Sequence, residues 1–337
     1  MIDLLKKLLA PPGVTGDEKS AADAASLLLE PWGAISRTPL GSVICRMPTL
    51  REGLPRVLLT AHLDQIGLMG ICVTEEGFLK AAPCGGVDRR SLAGARVTVH
   101  TKAGELAGVV CSVPPHLSNE KATPLKPEDI FIDIGLNKKD AEAVFSPGDR
   151  ITFACPPLSL ACGRFCSAGL DNRAGCAAVV MAAQLLSNFD GVEIVVALTT
   201  REETGSAGAL TAAFSLMPDV AFAVDMSMGA TPDDRIEHCG VLGCGPMVGI
   251  SPALSRRLSN FLIETAKQEN IPHQVEVMAG RTGTDADVIV SSCEGIPTAL
   301  LSIPLRYMHT PSEVVVLSDI EQTARLLAAG VRGVIHA

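Results

Sequence analysis

The chain has 337 residues, 47% of them apolar and only 3% aromatic, with a net charge of −9. That length accommodates two domains, or one domain with an insertion, around an aliphatic core. The acidic balance excludes the basic face that nucleic-acid binding requires, and no apolar run approaches the ~20 residues of a membrane span. Eleven cysteines in no regular framework read as free thiols of a reducing compartment. The N-terminal apolar stretch is too short and too charged for a secretory signal, so a cytoplasmic protein is expected.

Residues 1–30 read as an amphipathic helix, a loop at Pro11-Pro12-Gly13 and a second helix over 17–29. Thr15 and Glu18 have the spacing of a capping box ahead of that second helix. Short strands follow at 34–35 and 42–45. A buried strand over 56–60 then runs into Ala61-His62-Leu63-Asp64. His62 and Asp64, two apart on an extended tip, face one side. The carboxylate is thus placed to hydrogen-bond the imidazole and fix its tautomer.

From 70 to 160 the texture changes to short alternating runs, such as 96–100 and 105–110, separated by Gly and Pro. Helical periodicity returns only at 138–144. This is the pattern of a small β-barrel or sandwich inserted into an α/β host. It divides the chain into 1–69, 70–161 and 162–337, the first and last parts forming one domain. His116, inside the insert, reads as a packing or hinge residue. Cys155, Cys162 and Cys166 lack zinc-knuckle spacing and read as ordinary buried thiols.

The α/β pattern resumes at Ala168-Gly169-Leu170-Asp171, where Asp171 stands at a helix start as an N-cap would. A helix rich in Ala, Val and Leu follows over 176–186. The strand at 192–198 runs out into Thr199-Thr200-Arg201-Glu202-Glu203-Thr204-Gly205, with a small-residue helix after it. If that tip is extended, its two glutamates point to opposite sides. Another buried strand, 219–224, ends in Asp225. The remaining elements are a helix over 255–268, a strand over 274–278, a helix over 284–292 and a strand over 298–303. That last strand leads to Arg306-Tyr307-Met308-His309-Thr310-Pro311, and a helix over 319–327 closes the chain.

His62, Asp171, Glu203, Asp225 and His309 thus lie at the ends of successive α/β units, the edge at which open sheets bind ligands. Two imidazoles and three carboxylates are the donors that a pair of divalent ions, zinc or cobalt, requires. Each ion takes one His, one terminal carboxylate and a share of a bridging carboxylate. Four positive charges against three carboxylates leave the centre electrophilic. Glu202, nearby but off the metals, then serves as general base. Zinc, cobalt and manganese all accept donors of this mixture.

The segments Ala61-His62-Leu63-Asp64, Leu170-Asp171-Asn172-Arg173-Ala174-Gly175, Arg201-Glu202-Glu203-Thr204-Gly205, Val224-Asp225 and Arg306-Tyr307-Met308-His309-Thr310-Pro311-Ser312-Glu313 resemble the tetrahedral aminopeptidases. These are dinuclear-metal exopeptidases, whose members are called glutamyl aminopeptidase, deblocking aminopeptidase and, for some, endoglucanase. The resemblance extends to Gly85-Gly86, Pro114-Pro115-His116-Leu117, Phe131-Ile132-Asp133-Ile134-Gly135 and Gly283-Thr284-Asp285-Ala286, nearly the whole chain. Each motif is weak alone; their combination and order are specific. The resemblance implies a zinc-peptidase-like mixed sheet flanked by helices. It makes the insert a PDZ-like dimerisation domain, with dimers assembling into a homododecamer. It implies that His62 and Asp225 hold one metal, Glu203 and His309 the other, and that Asp171 bridges them. Glu202 is then the proton shuttle, with Asp64 behind His62. One departure stands out: members often carry Glu after the His-x-Asp, and here it is Gln65, which removes a charge near the site.

The expected activity is hydrolysis of the N-terminal peptide bond of short peptides, with a metal-bridging water as nucleophile. The alternatives are a metal-dependent N-acyl amino acid deacylase, a metal-free glycosidase using Glu202 and Glu203 as its carboxylate pair, and a non-catalytic assembly protein. Overall acidity mildly disfavours acidic peptides, a tendency that a single local Arg or Lys reverses.

Overall fold

The computed structural model describes residues 1–113, 124–232 and 239–336; His116 and the Pro114-Pro115-His116-Leu117 motif lie outside the described residues. The chain opens with helices α1 (Ile2–Leu9) and α2 (Lys19–Leu29), the hairpin β1 (Ala34–Arg37) and β2 (Val43–Arg46), and the buried strand β3 (Arg56–His62). α1 buries Leu5 and Leu8 on its apolar face. The capping box expected before α2 does not form. Thr15 Oγ1 pairs with Thr204 Oγ1 at 3.0 Å, and Glu18 Oε1 accepts from the amides of Gly16 at 2.6 Å and Arg201 at 3.1 Å. Bonds to a distant turn replace the local cap, and α2 starts two residues later than its sequence signal.

The insert is a closed barrel. Its strands are β4 (Gly67–Val73), β5 (Leu79–Cys84), β6 (Arg96–Thr101), β7 (Gly104–Val110), β8 (Phe131–Asp133) and β9 (Arg150–Phe153), with helix α3 (Lys138–Val144) before the last. They pair in the order β4-β5-β8-β7-β6-β9 and β9 returns to β4. Alternate residues point inward, so Leu68, Leu79, Ala81, Val97, Val99, Ile132 and Ile151 build a core of their own.

The chain then returns through β10 (Leu158–Ser159) and β11 (Arg164–Ser167) to α4 (Leu170–Leu185), β12 (Glu193–Thr199), α5 (Ala207–Leu216) and β13 (Val220–Met228). It ends with β14 (Met247–Ile250), α6 (Arg256–Gln268), β15 (Gln274–Val277), α7 (Ala286–Ile289), β16 (Thr298–Leu305), β17 (Glu313–Val316) and α8 (Leu317–Gly333). α7 is shorter than the helix expected over 284–292. Asp287 turns back to accept from the amides of Thr282 and Gly283, and Thr284 Oγ1 accepts from Ala286 N, holding 282–285 as a loop.

The main sheet is mixed, in the order β1-β2-β12-β3-β13-β16-β14-β15. Its central four strands are parallel and buried on both faces, which is why they read as near-continuous Val, Leu, Ile and Ala runs. α1, α2, α4, α6 and α8 cover one face, α5 and α7 the other. Register aligns the strand ends: Thr199 sits opposite His62, and Asp225 opposite Ser302. The carboxyl ends of β12, β3 and β13, and the loop after β16, therefore open along one edge.

Candidate metal centre

Five chain segments meet at that edge. His62 ends β3, Asp225 lies near the end of β13, Asp171 opens α4 behind the left-handed Gly169, and Glu202 and Glu203 follow β12. His309 sits in the loop between β16 and β17. Two groups of three result, His62–Asp171–Asp225 and Asp171–Glu203–His309, each with its ligand-type atoms within 4.8 Å of one another. Nε2 of His62 is 3.2 Å from Asp171 Oδ1 and 3.5 Å from Asp225 Oδ1. Nε2 of His309 is 3.5 Å from Asp171 Oδ2 and 3.7 Å from Glu203 Oε1. The two oxygens of Asp171 thus divide between the two imidazoles. Glu202 Oε2 stands 3.9 Å from His62 Nε2, outside both groups.

The Glu202-Glu203 tip is a turn rather than an extended end. Arg201 has φ +61, and the amides of Gly205 and Ser206 return to the carbonyls of Glu202 and Arg201. The reversal, not strand alternation, sends one carboxylate toward His62 and the other toward His309. Asp64 pins this turn: Oδ1 accepts from Glu202 N at 3.0 Å and Oδ2 from Glu203 N at 3.1 Å. That corrects the expected bond between its carboxylate and the imidazole, since Nδ1 of His62 lies 3.6 Å from Asp64 Oδ1 but 3.0 Å from the Asp64 carbonyl oxygen. A proton on Nδ1 directed at that carbonyl leaves the Nε2 lone pair facing the cluster.

A second buried carboxylate does for the other half what Asp64 does for this one. Glu313, 1% exposed, accepts from Asp171 N and from His309 N, each at 3.1 Å. Sequence reasoning gave it no role. The signal was an acid opening an otherwise apolar run, Val314 to Val316, which needs donors if it is to be buried. Asp285, read only as part of a helix opening, is buried and accepts from Thr199 Oγ1. Gln65 faces away from the cluster. Its Oε1 lies 3.4 Å from a guanidinium nitrogen of the fully buried Arg173, which also donates to the carbonyls of Leu63 and Leu8. The missing charge therefore bears on Arg173 rather than on the cluster. All eleven cysteines are free, but Cys155 and Cys166 are half-buried and Cys162 is exposed, correcting the expectation of burial. Cys155 and Cys162 lie on the connections either side of β10, which run along the surface as connections do, and Cys166 lies on β11.

The electrostatics are those of crowded acids. Burial pushes Glu202 up to about 9, with Asp225 and Asp285 adding to the rise, and pushes Glu203 up to about 7, with Asp171 adding. Burial raises Asp225 as well, and Asp285 to about 7. Asp171 goes the other way: His309 and His62 outweigh its burial and hold it below the usual carboxylate range. Its hydrogen bond with Asp171 lifts His309 to about 9. Asp171 Oδ1, although buried, has no hydrogen-bond partner among the described residues. Leaving such an acceptor unsatisfied costs about 1–3 kcal/mol. Converging carboxylates and imidazole lone pairs around an unsatisfied oxygen fit a divalent metal, which satisfies all of them together.

The geometry agrees with what the chain is similar to. Residues 41–326 match the family model described as M42 glutamyl aminopeptidase. A lysyl aminopeptidase of Pyrococcus furiosus is 33% identical over 334 residues, covering 97% of this chain and 95% of the relative. An aminopeptidase of the archaeon Desulfurococcus kamchatkensis superposes with a TM-score of 0.91 at 31% identity, over 97% of this chain and 93% of that one. The TET1 peptidase of Pyrococcus horikoshii, which can assemble into a tetrahedron or a large octahedral shell, gives 0.85 at 31% identity, over 97% and 98%.

Proposed function

This chain belongs to the M42 peptidase family, and from that premise we propose that it is a two-metal aminopeptidase acting on short peptides. The observation that carries the reading is the pair of donor groups sharing Asp171. His62 and Asp225 would hold one zinc or cobalt ion and Glu203 and His309 the second, with Asp171 a donor to both groups. When bound, the ions would supply Lewis-acid polarisation of the scissile carbonyl and lower the pKa of water at the site toward about 7. Everything else is done by side chains. Glu202, in neither donor group, takes the proton of the attacking water and hands it to the leaving amine. Asp64 holds Glu202 and Glu203 through their backbone amides, and Glu313 does the same for Asp171 and His309.

The barrel contributes no residue to either donor group. We read the insert, expected over 70–161 and closed as a barrel between Gly67 and Phe153, as a PDZ-like dimerisation unit of a homododecamer, a reading supported by the TET1 relative's assembly. Sizing the native protein by light scattering tests this: dimers or larger are expected, and a monomer contradicts it. No helix among the described residues is long and apolar enough to cross a membrane, and eleven free thiols favour a cytoplasmic setting.

The test of the reaction is Glu202→Gln. Metal content should persist while kcat for an aminoacyl-coumarin falls by roughly 10³ or more; normal turnover contradicts the role. Chelation should abolish activity and added zinc or cobalt restore it. Turnover of a glycoside that survives chelation points to a glycosidase, and a preference for N-acylated over free N-termini points to a deacylase.

A further inference from the structure

Beside Asp225 the sheet carries a second acid that neither donor group uses. Glu276 lies on β15, and its partner in the neighbouring strand β14 is Gly249, which places no side chain between the two. The carboxylate reaches back across β14 toward the centre. Oε1 accepts from Ser227 Oγ, and Oε2 accepts from Ser302 Oγ at 2.8 Å. Both serines are neighbours of Asp225. Ser302 is its register partner on β16, and Ser227 lies two residues beyond it on β13, on the same face. Strands are spaced about 4.8 Å apart, so the Glu276 strand lies about 14 Å from the Asp225 strand, and the Glu276 carboxylate spans enough of that gap to reach Ser227, on the Asp225 strand itself.

Glu276 also lines a cavity of about 310 Å³, walled by Ser227, Met228, Met247, Met278 and Thr282 among others, and none of its described lining residues is Lys, Arg or His. None of the ion pairs among the described residues involves it. Each of its oxygens receives one hydroxyl and keeps a lone pair free. The thioether walls are soft and adaptable, suited to methylene groups. A larger cavity of about 680 Å³ lies on the other side, along the loop of His309 at Tyr307, Thr310 and Ser312. The smaller space fits a single side chain, and the larger one the rest of a peptide.

Resting on the aminopeptidase reading above, we propose that the Glu276 cavity receives the side chain of the substrate's N-terminal residue and selects a basic one. A lysine or arginine lays its aliphatic stem along Met228, Met247 and Met278 and brings its cation to Glu276. A glutamyl N-terminus meets a like charge there and is disfavoured, although the matched family model is called glutamyl.

The experiment compares Lys-, Arg-, Leu- and Glu-coumarin amides on the metal-loaded wild type, Glu276→Gln and Glu276→Lys. Wild type should favour Lys and Arg over Leu, and Leu over Glu. Glu276→Gln should lower the Lys-to-Leu ratio of kcat/KM about tenfold or more, the loss of a charge-assisted bond, mainly through KM. Glu276→Lys should raise the Glu-to-Leu ratio. Turnover of Leu-coumarin in each variant reports that it is folded. A wild type that prefers Glu, or a Lys-to-Leu ratio unmoved by Glu276→Gln, overturns the assignment and leaves the aminopeptidase reading intact. No metal-dependent turnover of any of the four overturns that reading and this proposal with it.

Discussion

The open sheet and the closed barrel treat the ends of their strands in opposite ways. In the barrel every strand has a neighbour on both sides, and its described buried residues carry no charge, Thr152 being the polar one among them. In the sheet, the carboxyl ends of three parallel strands, with the loop after a fourth, gather His62, Asp64, Asp171, Asp225, Asp285 and Glu313, all at most 6% exposed. Buried charge is expensive unless it is paired. Here it is tolerated because backbone amides, imidazoles and, on the proposed reading, two cations converge on it. One region spends its interior on stability, the other on chemistry.

That contrast can be broken most severely from the barrel side. Leu79→Ala, at a fully buried barrel position, should destabilise by about 2–5 kcal/mol while the protein that remains folded keeps its kcat. Urea unfolding and active-site titration measure the two separately, and a proportionate loss of kcat would join the regions the account keeps apart. At the sheet edge the balance should reverse. Glu313→Gln should cost roughly 10–100-fold in metal affinity or activity, as loss of a ligand-orienting partner does, with a smaller change in unfolding free energy. Metal titration and kcat together check it, and full affinity in the variant refutes the positioning role.

A gentler perturbation is pH. In the metal-free chain burial pushes Glu202 up to about 9 and Glu203 and Asp285 up to about 7, and the hydrogen bond with Asp171 lifts His309 to about 9, each above its ordinary value. The folded state then holds protons that the unfolded chain has released, so stability falls as pH rises from about 4.5 toward about 9. The slope is about 1.4 kcal/mol per pH unit for each proton of difference. Melting of chelated protein from about pH 5 to 9 should show a declining Tm, which added metal offsets; a rising Tm contradicts the account. Smallest of all, Gln65→Glu gives the buried Arg173 a carboxylate partner and should stabilise the chain by a net of about 1 kcal/mol, what remains of the attraction after the new charge is desolvated. Activity should hold, because the side chain faces Arg173 and not the cluster. A large loss of activity would return Gln65 to the site.

The element pattern was legible because it depends on local signals. Apolar runs such as 192–198 could only be buried strands, and their polar ends could only be tips. His62, Asp171, Glu203, Asp225 and His309 were legible as a candidate set, each being a ligand-type residue at the end of an α/β unit, and they fall into the two candidate groups. What the sequence hid depends on tertiary partners. Thr15 and Glu18 spell a cap, yet bond to a turn almost two hundred residues away. Asp64 has the spacing to hold His62, yet its carboxylate goes to two amides that only the fold brings near. Glu313 follows His309 by four residues, yet its bond to Asp171 N spans 142. Gln65 reads as a change at the site until Arg173 is seen beside it.

The account centres on Asp171 serving both donor groups, and metal stoichiometry tests that directly. Elemental analysis of gel-filtered protein, wild type against Asp171→Asn, should give about two ions per chain in the first and a loss of both in the second. One ion per chain in the wild type, or two retained without the Asp171 carboxylate, would contradict it.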